Sequence, residues 1–92
     1  MITFNFRLID VFPNPVHDVL NIHYNANFAT GDHLTVTITD ATAKRLLLQR
    51  YATSGAGFIT LHMPPGIANG IYILQVINDK GDKQSKKIFI HR

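Results

Sequence analysis

Apolar and polar residues alternate along much of the chain. Val19 to Tyr24 places Leu20, Ile22 and Tyr24 on one face and leaves His23 on the other. Leu34 to Thr39 alternates more cleanly, with Leu34, Val36 and Ile38 facing inward and three threonines facing out. A period of two is the signature of a half-buried β-strand, and threonine supplies β-branching on the wet side. Arg45 to Tyr51, Phe58 to Met63, Ile71 to Ile77 and Lys87 to Ile90 form further runs, and Phe4 to Phe12 a less regular first one. The 71–77 run is apolar on nearly both faces, which suits a central strand covered on both sides or one whose outer face is partly shielded.

Turn residues separate these runs. Ala29 to Asp32, Ser54 to Gly57 and Asn78 to Asp82 read as turns, the last a hairpin with Gly81 free to take a positive φ. Pro64-Pro65-Gly66 cannot continue a central strand and opens a loop reaching Asn69-Gly70. Ala41 to Tyr51 is the best helix candidate, but its β-rich context favours a strand. The pattern predicts an all-β fold: an immunoglobulin-like antiparallel β-sandwich of about seven strands.

At 92 residues the chain is one domain. It is 46% hydrophobic and 16% charged, too apolar for a disordered tail. No apolar run approaches the roughly 18–20 residues of a membrane-spanning helix. The absence of cysteine excludes disulfides, thiolate metal sites and a thiol nucleophile. All six acids are aspartate, and the lack of glutamate disfavours a helical bundle. The N-terminal residues carry no basic stretch, apolar stretch and cleavage site in succession, so an export signal is expected elsewhere, on a longer parent.

The residues offer little catalytic chemistry. Asp32, Asp40, Asp79 and Asp82 sit in or beside turns, where aspartate bonds its own backbone. No Asp-x-Asp cluster supplies the six to eight oxygens of a calcium site. The five histidines form no metal-ligand spacing. Ser54 and Ser85 lie in no nucleophile motif, and no phosphate-binding glycine loop occurs. No catalytic residue, metal or cofactor is expected. Sugar binding by a β-sandwich wants exposed flat rings, for which Phe28 and Tyr51 are the candidates, while Tyr24 and Tyr72 fit core positions. Nucleic-acid binding needs cations interleaved with stacking rings. Only Lys86-Lys87 near Phe89 comes close, so no nucleic-acid partner is expected.

Three separated signals stand out together: Val11-Phe12-Pro13-Asn14-Pro15 followed by Asp18 to Ile22, Gly70-Ile71-Tyr72-Ile73-Leu74 after a loop with Pro and Gly, and Lys86-Lys87-Ile88-Phe89-Ile90 near the end. In this order and spacing, residues 11–92 resemble the C-terminal sorting domain of the type IX secretion system of Bacteroidetes, also called the Por secretion system. Residues 1–10 are then a linker, the first strand or an artificial start. The resemblance implies a non-catalytic signal that directs an upstream passenger across the outer membrane. It implies transit through the periplasm, recognition by the outer-membrane secretion machinery, then removal by a sortase-like component and attachment of the passenger to anionic lipopolysaccharide at the cell surface. Recognition would rest on Pro13, Asn14, Pro15, Gly70, Tyr72, Lys86, Lys87, Ile88, Phe89 and Ile90.

Each motif has its own physical content. Pro13 and Pro15 each fix one φ and stiffen a corner that Asn14 can tie by side-chain hydrogen bonds. Gly70 lets the chain turn into its strand. Tyr72 can bury its ring while its hydroxyl reaches a backbone partner. Residues 47–92 carry a net charge of +4 against −1 for residues 1–46. Lys86 and Lys87 coincide with the terminal motif, which marks them as a contact surface rather than an idle solvated edge. The backbone of that strand offers an edge for pairing with a receptor, or for weak pairing of two copies.

Two departures stand out. The family often has Asp-x-x-Gly-Lys where this chain has Asp40-Ala41-Thr42-Ala43-Lys44, so a left-handed turn at Ala43 would be strained and a different turn is expected. The loop Met63 to Asn69 is also longer than usual. The alternative reading is an immunoglobulin-like binding or spacer module of a cell-surface enzyme, binding carbohydrate through Phe28 or Tyr51.

Overall fold

The computed structural model describes residues 9–24, 33–53 and 57–92. Phe4 to Leu8 of the expected first run, the turns at Ala29 to Asp32 and Ser54 to Ala56, and Phe28 lie outside them. Seven strands follow in order: β1 (Ile9–Phe12), β2 (Val19–Tyr24), β3 (His33–Thr39), β4 (Arg45–Ala52), β5 (Phe58–His62), β6 (Gly70–Asn78) and β7 (Lys83–Ile90). They form one sheet in the order β1-β2-β5 and a second in the order β4-β3-β6-β7, with every paired neighbour antiparallel. This is the expected immunoglobulin-like sandwich, with the core between the sheets.

Alternation builds the core as expected. Leu20 and Ile22 from β2, Leu34, Val36 and Ile38 from β3, Ile59 and Leu61 from β5, Leu74 and Val76 from β6, and Ile88 and Ile90 from β7 are buried together. Each such side chain contributes about 1.5–3 kcal/mol on burial.

β4 breaks the alternation. Its register against β3 shifts between Ile38 and Thr39, so that Ile38 faces Leu47 while Thr39 faces Arg45. Leu46 is the extra residue of this bulge, and both Leu46 and Leu47 pack against the core from adjacent positions. The following residue, Leu48, stands out in solvent.

β6 lies between β3 and β7, and no described residues form a layer over its outer face. Ile71 and Ile73 are 49% and 38% exposed, while Gln75 and Ile77 are half-buried. A partly shielded outer face, not cover on both sides, is therefore what its apolar run reflects.

The β6–β7 hairpin closes as expected on Asn78 to Asp82, with Gly81 at φ +90°. Asn78 is buried, and its Oδ1 accepts the backbone N–H groups of Lys80 and Asp82 at 3.0 and 2.9 Å.

The β3–β4 turn corrects an expectation. Ala43 takes the left-handed conformation, φ +65°, that the family's glycine would take. The Asp40 carboxylate holds it there: Oδ1 accepts from Thr42 Oγ1 at 2.7 Å, Thr42 N at 2.9 Å and Lys44 N at 3.0 Å. The Thr42 hydroxyl, followed by the Lys44 amide, draws the Asp40 pKa below the ordinary carboxylate value. Three hydrogen bonds thus offset the Cβ clash at position 43. Ala43→Gly is expected to stabilise the domain by ~0.5–1 kcal/mol, because the left-handed penalty that disappears exceeds the entropy that the unfolded chain gains. A urea midpoint that stays or falls would show that the turn carries no strain.

Candidate functional site

The polypeptide changes sheets at the first motif. β1 pairs with β2 up to Phe12. The peptide bonds before Pro13 and Pro15 are both cis. Beyond Pro15 the chain runs parallel to the end of β7, where Val16 bridges Ile90. The Val16 N–H donates to the Phe89 carbonyl at 2.7 Å, and the His91 N–H donates to the Val16 carbonyl at 2.8 Å. A strand that switches sheets needs a corner without ladder bonds, and prolines, which lack the N–H, sit there at no cost in pairing. Asn14 does not tie the corner to itself. Its Oδ1 accepts the Phe89 N–H at 3.1 Å and so clamps the corner to β7.

The second motif meets the same place from the other side. Gly70 pairs with Ile90 and Ile71 with Phe89. Pro15, Asn69, Gly70, Ile71, Phe89 and His91, with Ile90 beneath, line an open groove of about 390 Å³. Phe89 and Ile71 are 45% and 49% exposed on one outer face. Around the groove the chain end is pinned: the Arg92 guanidinium meets Asp18 at 3.1 Å, the Arg92 N–H donates to Asn69 Oδ1 at 2.8 Å, and His17 Nδ1 lies 2.6 Å from the His91 carbonyl.

The expected recognition residues therefore divide. Pro13, Asn14, Pro15, Gly70, Phe89 and Ile90 come together at or beside the groove. Tyr72 does not face it. It is 6% exposed, and its hydroxyl donates to the Ala68 carbonyl at 2.6 Å. A tyrosine near the start of the sixth strand, bonded to the loop just before it, is the tyrosine corner of immunoglobulin-like sandwiches. Through this bond Tyr72 holds the loop that runs from Met63. Ile88 is a core residue at 1% exposure. Lys86 and Lys87 point to opposite faces of β7: Lys87 is exposed on the outer face opposite Ile73, while Lys86 is half-buried on the inward phase opposite Leu74. They do not form one patch. Along Ile88 to Ile90 the backbone edge of β7 is met by Val16, which bonds Phe89 and His91.

No catalytic geometry accompanies the groove. Among the described residues no group of three or more His, Asp or Glu side chains is placed to hold a metal ion. A second depression, about 320 Å³ beside Tyr72, contains Asp40, whose carboxylate is committed to its turn. Tyr51 is no free sugar platform: it packs half-buried against the core, and burial raises its pKa. The exposed rings that periodicity reasoning passed over lie on the other sheet, where His23 stands between Phe12 and Phe58 with ring centroids 5.2 and 5.8 Å away.

A family model described as "Secretion system C-terminal sorting domain" matches residues 10–91. The chain belongs to this family. As a sorting domain it is a non-catalytic secretion signal of the type IX system, serving a passenger that passes through the periplasm to the outer-membrane surface or the exterior. No curated protein matches the sorting domain's sequence. Its fold is similar to the crystal structure of CopC from Methylosinus trichosporium OB3b, with a TM-score of 0.50 and 15% identity over 89% of this chain and 90% of that one. That likeness concerns the fold alone.

Proposed function

We propose that the groove between Pro15, Gly70, Ile71 and Phe89 is the surface that the outer-membrane machinery reads. The supporting observation is the convergence there of three segments far apart in sequence, held by the Asn14 and Val16 bonds to β7. After translocation a sortase-like component removes the domain and joins the passenger to anionic lipopolysaccharide, a step that rests on the family resemblance. Its mark would be a surface passenger whose mass lacks the domain.

The test of the groove is an export assay with a reporter passenger. Ile71→Asp and Phe89→Asp change exposed side chains, where substitutions seldom exceed about 0.5 kcal/mol beyond the lost cross-strand pair. Each is expected to lower the extracellular reporter at least tenfold, with the reporter retained in the periplasm. Phe12→Asp and Phe58→Asp, on the opposite outer face, are expected to export normally. Normal export of both groove variants would sink the reading.

A further inference from the structure

Among the described residues, the edge of β7 is met only at its end, by Val16. The bonds of Phe89 and His91 to the Val16 segment show which residues turn their backbone groups away from β6. By the alternation of an antiparallel ladder, the N–H and C=O of Lys83, Ser85 and Lys87 leave on that same side. No described residue pairs with the backbone of Ser85 or Lys87 there. Lys83, Ser85 and Lys87 are exposed, and their side chains share the outer face of the sheet.

Charge decides what fits this edge. β7 carries three lysines and no acid, and none of the three pairs with a described residue. The acids at the hairpin tip are committed elsewhere. Asp79 approaches Arg50 at 3.8 Å and accepts the His33 N–H at 3.0 Å, and Asp82 Oδ2 accepts from Asn78 Nδ2 at 3.3 Å. A second copy of β7 fits poorly: antiparallel pairing about Ser85 sets Lys83 opposite Lys87 at both ends, and like charges directly opposite destabilise. An extended segment with acids at alternate positions meets Lys83 and Lys87 across the new ladder.

We propose that residues 83–87 are a docking edge for a short, acidic, extended segment of a partner protein, which adds to the sheet as a further strand. Val16 limits its length, because a strand reaching Phe89 finds the edge filled. The proposal rests on the reading of this domain as a signal recognised by other proteins, but uses a surface distinct from the groove.

Amide NMR of the 92-residue chain tests it, with acetyl-Glu-Val-Glu-Thr-Glu-amide as the probe and its lysine counterpart as the control. The acidic peptide is expected to shift the Ser85 and Lys87 amides and slow their exchange. The Phe89 and His91 amides, already bonded, stay in place, and the lysine peptide has no effect. Ser85→Pro removes an outward N–H without touching the β6 ladder. It should weaken binding at least tenfold with Tm unchanged. The K83E/K87E double variant should bind the lysine peptide instead. Unmoved Ser85 and Lys87 amides, equal binding of both peptides, or full binding by Ser85→Pro would overturn the proposal. Shifts of those amides with protein concentration alone would make a second copy the occupant and overturn it too. In the export assay Ser85→Pro is expected to lower secretion. Its normal export, with loss in Phe89→Asp, would overturn the edge and leave the groove reading standing, and the reverse pattern would do the opposite.

Discussion

Deletion of Ile88 to Arg92 is expected to unfold the domain and leave its passenger in the periplasm. The five residues look like a short tail, yet two of them, Ile88 and Ile90, are 1% and 2% exposed. Truncation of one such side chain costs about 2–5 kcal/mol. The deletion also removes both partners of Val16, the Phe89 N–H that donates to Asn14 and the Arg92–Asp18 pair. Val16, wholly buried in the intact domain, loses the strand that covers it. A domain of this size holds roughly 5–15 kcal/mol in total, so the loss consumes most or all of it. Far-UV circular dichroism and a urea melt read the effect directly, and a cooperative transition in the truncated chain would contradict it. Failure of export alone would not separate a lost address from a lost fold. Phe89→Asp does, since its side chain is exposed and the fold should survive the change.

The parts of the fold that were legible are those where one face of a strand is wet and the other dry. β2 and β3 carried their burial in their alternation: the structure buries Leu20, Ile22, Leu34, Val36 and Ile38, and Tyr24 in part. β4 was ambiguous because its bulge puts Leu46 and Leu47 against the core in succession, which imitates the helical spacing of Ala41 to Tyr51. The first half of β7 was invisible: Lys83 to Lys86 has no apolar residue, and only the register of β6, with Ile77 opposite Lys83, makes it a strand. The groove was legible as a set of motifs but not as a geometry. The Asn14–Phe89 bond joins positions 75 apart in sequence, and no local pattern announces it. The same holds for Val16, which reads as one valine between a proline and a histidine, and in the fold meets the far end of the β7 edge. Lys86 and Lys87 read as one patch because they are adjacent, whereas in a strand they point to opposite faces.

Tyr72 separates a residue kept for structure from one kept for recognition. Its ring is buried among core side chains and its hydroxyl is bonded to Ala68. Tyr72→Ala is expected to cost ~3–5 kcal/mol, the range for removing a large buried ring, and to abolish export by unfolding the domain. Tyr72→Phe keeps the ring and loses one hydrogen bond, so it should cost about 1–2 kcal/mol. At a temperature where that variant remains folded, its passenger should be exported at the wild-type level. Urea melts of the two variants, set beside their export, decide the matter. If Tyr72→Phe melts like the wild type yet fails to export, the hydroxyl is read by the machinery, and the loop from Met63 must open to present it. If both variants export in proportion to their folded fraction, the tyrosine serves the corner. The address then lies in the exposed residues that the corner helps to position, Gly70 and Ile71 at the start of the same strand and Phe89 across from them.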